Sequence, residues 1–410
     1  MIPLDIKALG ARAETMASEL GAISAEPDRL VRLFLTPELR RAADLVAKWM
    51  REAGMTVSED ALGTVRGCFG KGRRLLIGSH IDTVIDAGKY DGPLGVISGI
   101  LAVDHFAKAG RKLPFGIDVL AFGDEEGSRF PATMATSMAC AGVFEHETLP
   151  LADQNGVTLA AAIKAYGNTA ADIPAAAYKS SDVAGYVEVH IEQGPVLEAK
   201  NQPLGVVTGI VGQNRIKVTV TGMAGHAGTV PMALRHDAYA GAAEMALTLE
   251  QIVREHPEDG MVGTVGRIEV SPGAVNIIPG RVTFTIDLRS LSDKLRNESY
   301  ARFQAEAEKI AKARGLTVAF DLFHEVATAY MAPVLQDDLE AGIRDVGGDP
   351  IRLPSGAGHD AQIMTRLCPS AMMFVRCRGG ISHNPAEFAS EADMGLAVAA
   401  LIRFIERFKA

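Results

Sequence analysis

The chain has 410 residues, 48% of them hydrophobic, with 41 Lys and Arg against 50 Asp and Glu and a formal net charge of -9. That length exceeds the usual single core, so two domains are expected, and the acidic balance argues against nucleic acid or an anionic membrane as a partner. Four cysteines, Cys68, Cys140, Cys368 and Cys377, fall in no paired spacing, the first forty residues lack the apolar core of a signal peptide, and no stretch is long and charge-free enough to span a bilayer. A reducing compartment, the cytoplasm, is the expected location.

From Asp5 to Gly54 the apolar residues recur at helical spacing, with Thr36-Pro37-Glu38-Leu39 opening a second helix that runs through Trp49 and Met50. Two paired strands follow, Met55 to Asp60 and Gly63 to Phe69. The apolar run Leu75-Leu76-Ile77 then reads as a buried strand that delivers His80 to its carboxyl end, where open α/β sheets place their ligands. Asp82 is near enough to accept the second ring N–H of His80, and Asp91 lies in a Gly/Pro-rich loop before a helix over Gly95 to Ala109. Phe115 to Phe122 is the next buried strand, and it ends on Gly123-Asp124-Glu125-Glu126-Gly127. Adjacent acids at such a strand end are costly unless paired or bound to cations. The Ala-rich stretch from Phe130 to Tyr178 reads as helical. Tyr186 to Ile191 is a short strand that carries His190 and closes on Glu192-Gln193-Gly194-Pro195.

Beyond Gly209 the pattern changes. Asn214 to Thr221, Leu234 to Glu255, Val262 to Val270, Gly280 to Leu288, Leu291 to Arg314 and Leu316 to Phe323 read as strand, helix, strand, strand, helix, strand. This βαββαβ order predicts a ferredoxin-like α+β unit, an antiparallel sheet with two helices on one face, inserted into the chain. The expected division is 1-212 with 330-410 as the α/β domain, built on a mixed sheet, and 213-329 as the insert. After it come a helix over Leu335 to Gly347, the Gly-rich loop Ser355 to Asp360, a strand over Ala371 to Val375, His383 in Gly380-Ile381-Ser382-His383-Asn384, and a closing helix over Ser390 to Phe408.

His80, Asp91, Glu126, His190 and His383 come from five separate loops at or near the ends of apolar elements. Nitrogen and oxygen donors without thiolate suit zinc, manganese or cobalt. Two ions need a bridge, for which Asp91 is the candidate. His80 and either His383 or His190 are placed on different ions, with Glu126 on one of them. Glu125, beside Glu126, is the natural general base for a water acidified by two metals. The remaining histidines, His105, His146, His236, His256 and His324, read as structural or surface, and His359 in its Gly-rich loop is left open.

The ordered segments GSHIDTV, KYDGPLGV, GDEEGSRF, HIEQGPVLE, GMAGHAGTVPM, NIIPG, DLRS, SGAGHDA and GISHNPAE resemble the hydantoinase/carbamoylase amidases of the di-zinc aminoacylase and carboxypeptidase superfamily, from about Gly54 to the C-terminus. The resemblance implies a di-metal aminopeptidase-like catalytic domain with a ferredoxin-like lid that also dimerises through 213-329. It implies metal ligands His80, Asp91, Glu126, His190 and His383, base Glu125 and orienting Asp82. His226 is the expected oxyanion donor, and Asn276 and Arg289 match substrate-binding positions, Arg289 as a bidentate grip on a carboxylate. Gln193, Gln213 and the backbone at Gly358 are further candidates for the ureido group and carboxylate of a small substrate. The expected reaction is hydrolysis of an N-carbamoyl-L-amino acid, with allantoate as the alternative. Aminoacylase or dipeptidase activity is the lesser expectation, because those relatives usually carry an acid where this chain has His190.

Overall fold

The computed structural model describes residues 4–256 and 260–410. Its strands in chain order are β1 (Thr56–Glu59), β2 (Val65–Phe69), β3 (Arg74–His80), β4 (Gly116–Phe122), β5 (Val183–Ile191), β6 (Leu204–Ile210), β7 (Gly212–Thr221), β8 (Gly225–His226), β9 (Val262–Ser271), β10 (Ile277–Ile278), β11 (Arg281–Ser290), β12 (Thr317–Val326), β13 (Ala329–Tyr330), β14 (Ile351–Ser355) and β15 (Ser370–Val375). Two compact units result. One runs to Thr208 and resumes at Tyr330, and the other is Gly209–Ala329.

The first unit holds a mixed sheet in the order β1-β2-β4-β3-β5-β15-β6. β3 runs parallel to both β4 and β5, and β5 runs parallel to β15, whereas β2 and β6 join antiparallel at the flanks. Four parallel neighbours bring four carboxyl ends to one edge of the sheet, and these are the ends that carry His80, Glu125, His190 and the loop to His383. Leu75, Leu76 and Ile77 are fully buried, as a strand covered on both faces requires. One cover is the helix Pro93–Lys108. Its first turn is set by Gly92 at φ 84, where a Cβ would lie 2.5 Å from three atoms of the His80 ring. Only glycine lets the Asp91 loop approach the histidine that closely.

Helix Pro37–Glu52 starts where expected. Thr36 accepts from the N–H of Leu39, Pro37 occupies the first turn, and Leu39, Ala42, Ala43, Val46, Trp49 and Met50 form the buried face. The helical expectation for Phe130 to Tyr178 is corrected. That stretch contains two α-helices of seven residues, Ala135–Ala141 and Leu159–Ala165, and two 3-10 segments at 146–148 and 170–176. Gly142 at φ 73 and Gly167 at φ 95 end the two helices in left-handed backbone, and Gly156 at φ 77 lies in the turn between them. The alanine content gave helical propensity and the glycines overrode it.

The second unit is a four-stranded antiparallel sheet ordered β12-β7-β11-β9, the arrangement of the βαββαβ unit. Its helices, Ala238–Arg254 and Asp293–Ala313, share a core with the inward residues Ile216, Val218, Val220, Val282, Phe284, Ile286 and Leu288. The two-residue ladder of β8 with β10 is an addition that the periodicity does not reveal. Among the described residues no helix is long and apolar enough to cross a membrane.

Candidate metal centre

His80 and His190 end adjacent parallel elements, and each imidazole is oriented by a main-chain carbonyl. His80 Nδ1 lies 3.1 Å from the carbonyl oxygen of Asp82, and His190 Nδ1 lies 2.9 Å from that of Ile191. A carbonyl can only accept, so in both rings Nδ1 is the donor and Nε2 presents a lone pair to the cluster. The Asp82 carboxylate was the expected orienting group, yet it sits farther from His80 Nδ1, at 3.5 Å. It instead accepts from the backbone N–H groups of Glu125 and Glu126, at 3.1 and 3.2 Å. Asp82 therefore fixes the acidic turn, and its carbonyl fixes the histidine.

Asp91 lies between the histidines. Its Oδ1 is 3.6 Å from His80 Nε2 and 3.2 Å from His190 Nε2, and its Oδ2 is 3.5 Å from His383 Nε2. His383 Nε2 is 3.4 Å from Glu126 Oε2. Two groups share Asp91, His80 with Asp91 and His190, and Asp91 with Glu126 and His383, each with donor atoms within 4.8 Å of one another, as are those of His80 with Glu125 and Glu126 and of His190 with Glu188 and His359. His80 and His190 thus share one oxygen of Asp91, and His383 faces the other. Glu125 Oε2 stands 3.9 Å from His80 Nε2, beside both groups.

These donors fit divalent ions. His190 Nε2 is buried with no hydrogen-bond partner among the described residues, and a lone pair facing a carboxylate oxygen at 3.2 Å is repulsive unless a proton or a cation lies between them. Tetrahedral ligands at the usual zinc distances stand about 3.4 Å apart, and the four separations above span 3.2 to 3.6 Å. The electrostatics agree. Burial pushes the Glu125 carboxyl well above its ordinary range, with Glu126 adding to the push while His80 opposes it. Burial likewise pushes Glu126 up to about 8, despite His80. Burial disfavours a charged His80, but Asp82 and Asp91 outweigh it and raise that pKa well above normal. This surplus of buried negative charge draws protons in the absence of cations.

Gln193 and His383 both hold left-handed backbone, at φ 56 and φ 54, a strain of about 1–3 kcal/mol each that the surrounding contacts must sustain. Gln193, expected to bind substrate, donates Nε2 to Asp91 Oδ2 at 2.8 Å, while its Oε1 is buried without a partner among the described residues. Gly358 lies close to the base, since a Cβ there would be 3.9 Å from Glu125 Oε1.

His226, Asn276, Gln213 and Arg289 belong to the other unit. His226 is exposed, its Nδ1 accepts from the N–H of Gly228 at 3.0 Å, and Asn276 adjoins it through the bond from Ala227 N–H to the Asn276 carbonyl. Gln213 and Arg289 face each other across β7 and β11. Both reach Asp287, which accepts from Gln213 Nε2 at 2.7 Å and takes Arg289 bidentately at 2.9 Å. Arg289 and Gln213 are thus gathered around one carboxylate.

Three polar residues near the centre carried no role in the sequence reading. His359 is buried with its ring 4.4 Å from that of His190, and its Nε2 is 2.8 Å from Ser355 Oγ. Glu188 accepts from Ser79 Oγ, Tyr186 Oη and the N–H of Ala361, so it ties together β3, β5 and the short helix Asp360–Met364. A charge in the middle of an otherwise buried strand was its available signal. Glu387 stands behind Asp91 and is considered below.

The sequence profile of the Peptidase family M20/M25/M40 matches residues 76–407. An allantoate deiminase of Arabidopsis thaliana is 41% identical over 95% of this chain and 80% of its own length. An N-carbamoyl-L-amino acid amidohydrolase of Geobacillus stearothermophilus is 41% identical over 94% of this chain and 95% of its own. Among solved structures, an amidase of the hydantoinase/carbamoylase family from Burkholderia multivorans superimposes with a TM-score of 0.91 at 32% identity, covering 97% of each chain.

Proposed function

Because the chain belongs to peptidase family M20/M25/M40 and, within it, to the hydantoinase/carbamoylase amidases, we propose that it hydrolyses the linear ureido C–N bond of an N-carbamoyl-L-amino acid or of allantoate. Relatives bearing each of these two activities are equally similar to it. The observation that carries the reading is Asp91, whose two oxygens face two separate donor groups beside Glu125.

We assign one divalent ion to His80, Asp91 and His190 and a second to Asp91, Glu126 and His383, with zinc first and manganese or cobalt as alternatives. Ions held there would supply Lewis acidity toward the carbamoyl oxygen and acidify water. Glu125 takes the proton of the attacking water and delivers it to the leaving nitrogen. Asp82 holds Glu125 in place through its backbone N–H. Gln193 Oε1 and the backbone at Gly358 receive the ureido group, Arg289, Gln213 and Asn276 the carboxylate, and His226 donates to the developing oxyanion. We further propose a homodimer through the Gly209–Ala329 unit, which serves also as the lid, and a cytoplasmic location, in keeping with four free cysteines.

The test is ammonia release from N-carbamoyl amino acids, allantoate, ureidoglycolate and a dipeptide control, after reconstitution with each metal. Turnover of a ureido substrate with two ions per chain is expected. Amine release from the dipeptide alone, or one tightly bound ion at most, would overturn the assignment.

A further inference from the structure

One buried carboxylate without an assigned role touches two of the three loops that form the second donor group. Glu387 is 5% exposed. Its Oε1 accepts from the backbone N–H groups of Tyr90 and Asp91, at 2.9 and 3.1 Å. Its Oε2 is 3.2 Å from the hydroxyl of Ser382, which also reaches Asp91 Oδ2. Two adjacent N–H groups on one oxygen fix the peptide plane that enters Asp91, and so the direction in which its side chain leaves the chain. The same carboxylate sits in the turn that follows His383, which is closed by Glu387 N–H on the Asn384 carbonyl at 3.0 Å. His383 holds left-handed backbone, and such a conformation persists only where its neighbours over-determine it. The opposite wall leaves no slack, since a Cβ on Gly88 would lie 2.3 Å from the Glu387 carboxyl.

We propose that Glu387 is a positioning residue that sets the separation of Asp91 Oδ2 from His383 Nε2 and thereby the affinity of the second ion, an inference that rests on the two-ion reading. The first ion depends on it less, because two of its three ligands, His80 and His190, lie outside the loops that Glu387 touches and are oriented by their own carbonyls. Glu387 acts by accepting N–H groups, so glutamine, whose carbonyl oxygen accepts equally, replaces it.

Stepwise zinc titration by calorimetry, with bound metal counted on the full-length protein, tests this. Wild type is expected to bind two ions. Glu387→Ala keeps the tighter one and loses about 10- to 100-fold in affinity for the other, the usual cost of removing a group that orients a ligand. Glu387→Gln restores the second affinity to near the wild-type value. If Glu387→Ala does not fold, Ser382→Ala replaces it, with the same selective weakening expected. Two unchanged affinities in the folded variant, equal weakening of both ions, or a glutamine variant no better than alanine would each overturn the proposal while leaving the two-ion reading in place. Fewer than two ions in wild type would overturn both.

Discussion

At the scale of single residues the proposed assignment separates groups that would meet ions from groups that would move protons. Glu125 lies outside the two groups that share Asp91, although it also stands within reach of His80 and Glu126, and its backbone N–H is held by Asp82. Glu125→Gln removes the proton acceptor and leaves size and hydrogen bonding nearly intact. It is expected to keep both ions and the KM while kcat falls by about 10²- to 10⁴-fold, the usual contribution of a positioned acid–base group. Steady-state kinetics on protein with measured ion content would decide, and a kcat near wild type would pass the role to another group. Asp82→Asn retains an acceptor for only one of the two N–H groups of the acidic turn. Ion affinity should weaken by about 10- to 100-fold, as for other groups that orient ligands, and an unchanged titration curve would show that the turn holds without it.

At the scale of elements, the parallel strands were legible because burial on both faces forces continuous apolar runs, and each run ends visibly. Leu75 to Ile77 into His80 and Phe115 to Phe122 into Glu125 are the clearest, whereas Asp91 and His383 lie in loops beyond any strand end and were secured as ligands through the resemblance. What the sequence hid is long-range. Arg32, in the connection between the first two helices, is fully buried and donates to the carbonyls of Ile81, Leu20 and Ile23, while its own N–H and carbonyl pair with Thr83. Burial lowers its pKa only to about 10, so it stays charged behind the His80 loop. No periodicity marks such a residue; Glu387 was missed and His359 left open for the same reason. The β8 and β10 ladder was too short to show alternation. Close approach of elements is testable at Gly92, where alanine would need a left-handed backbone and would drive its Cβ into the His80 ring. Gly92→Ala should lower stability by about 2–5 kcal/mol from these two sources together and weaken the first ion. An unaltered unfolding midpoint and titration would mean that the helix shifts aside at no cost.

At the scale of the whole molecule the chemistry is divided by chain segment. Every donor of the metal centre lies outside Gly209–Ala329, whereas His226, Asn276, Gln213 and Arg289 lie within it. That unit ends in two edge strands, β9 and β12, and exposes Met232, Leu234, Leu247, Val262 and Ile268. Unpaired edges and apolar side chains of this kind are what a two-fold interface covers. In a homodimer joined there, His226 of one subunit would serve the base of the other. Two inactive variants, Glu125→Gln and His226→Ala, test this by mixing. In a heterodimer one site pairs an intact Glu125 with an intact His226 and the other pairs both defects, so random exchange at equal amounts returns about a quarter of wild-type activity. Native mass spectrometry would establish that subunits have exchanged. With exchange complete and no activity recovered, the shared site is excluded and His226 acts within its own chain, leaving the insert as a lid alone.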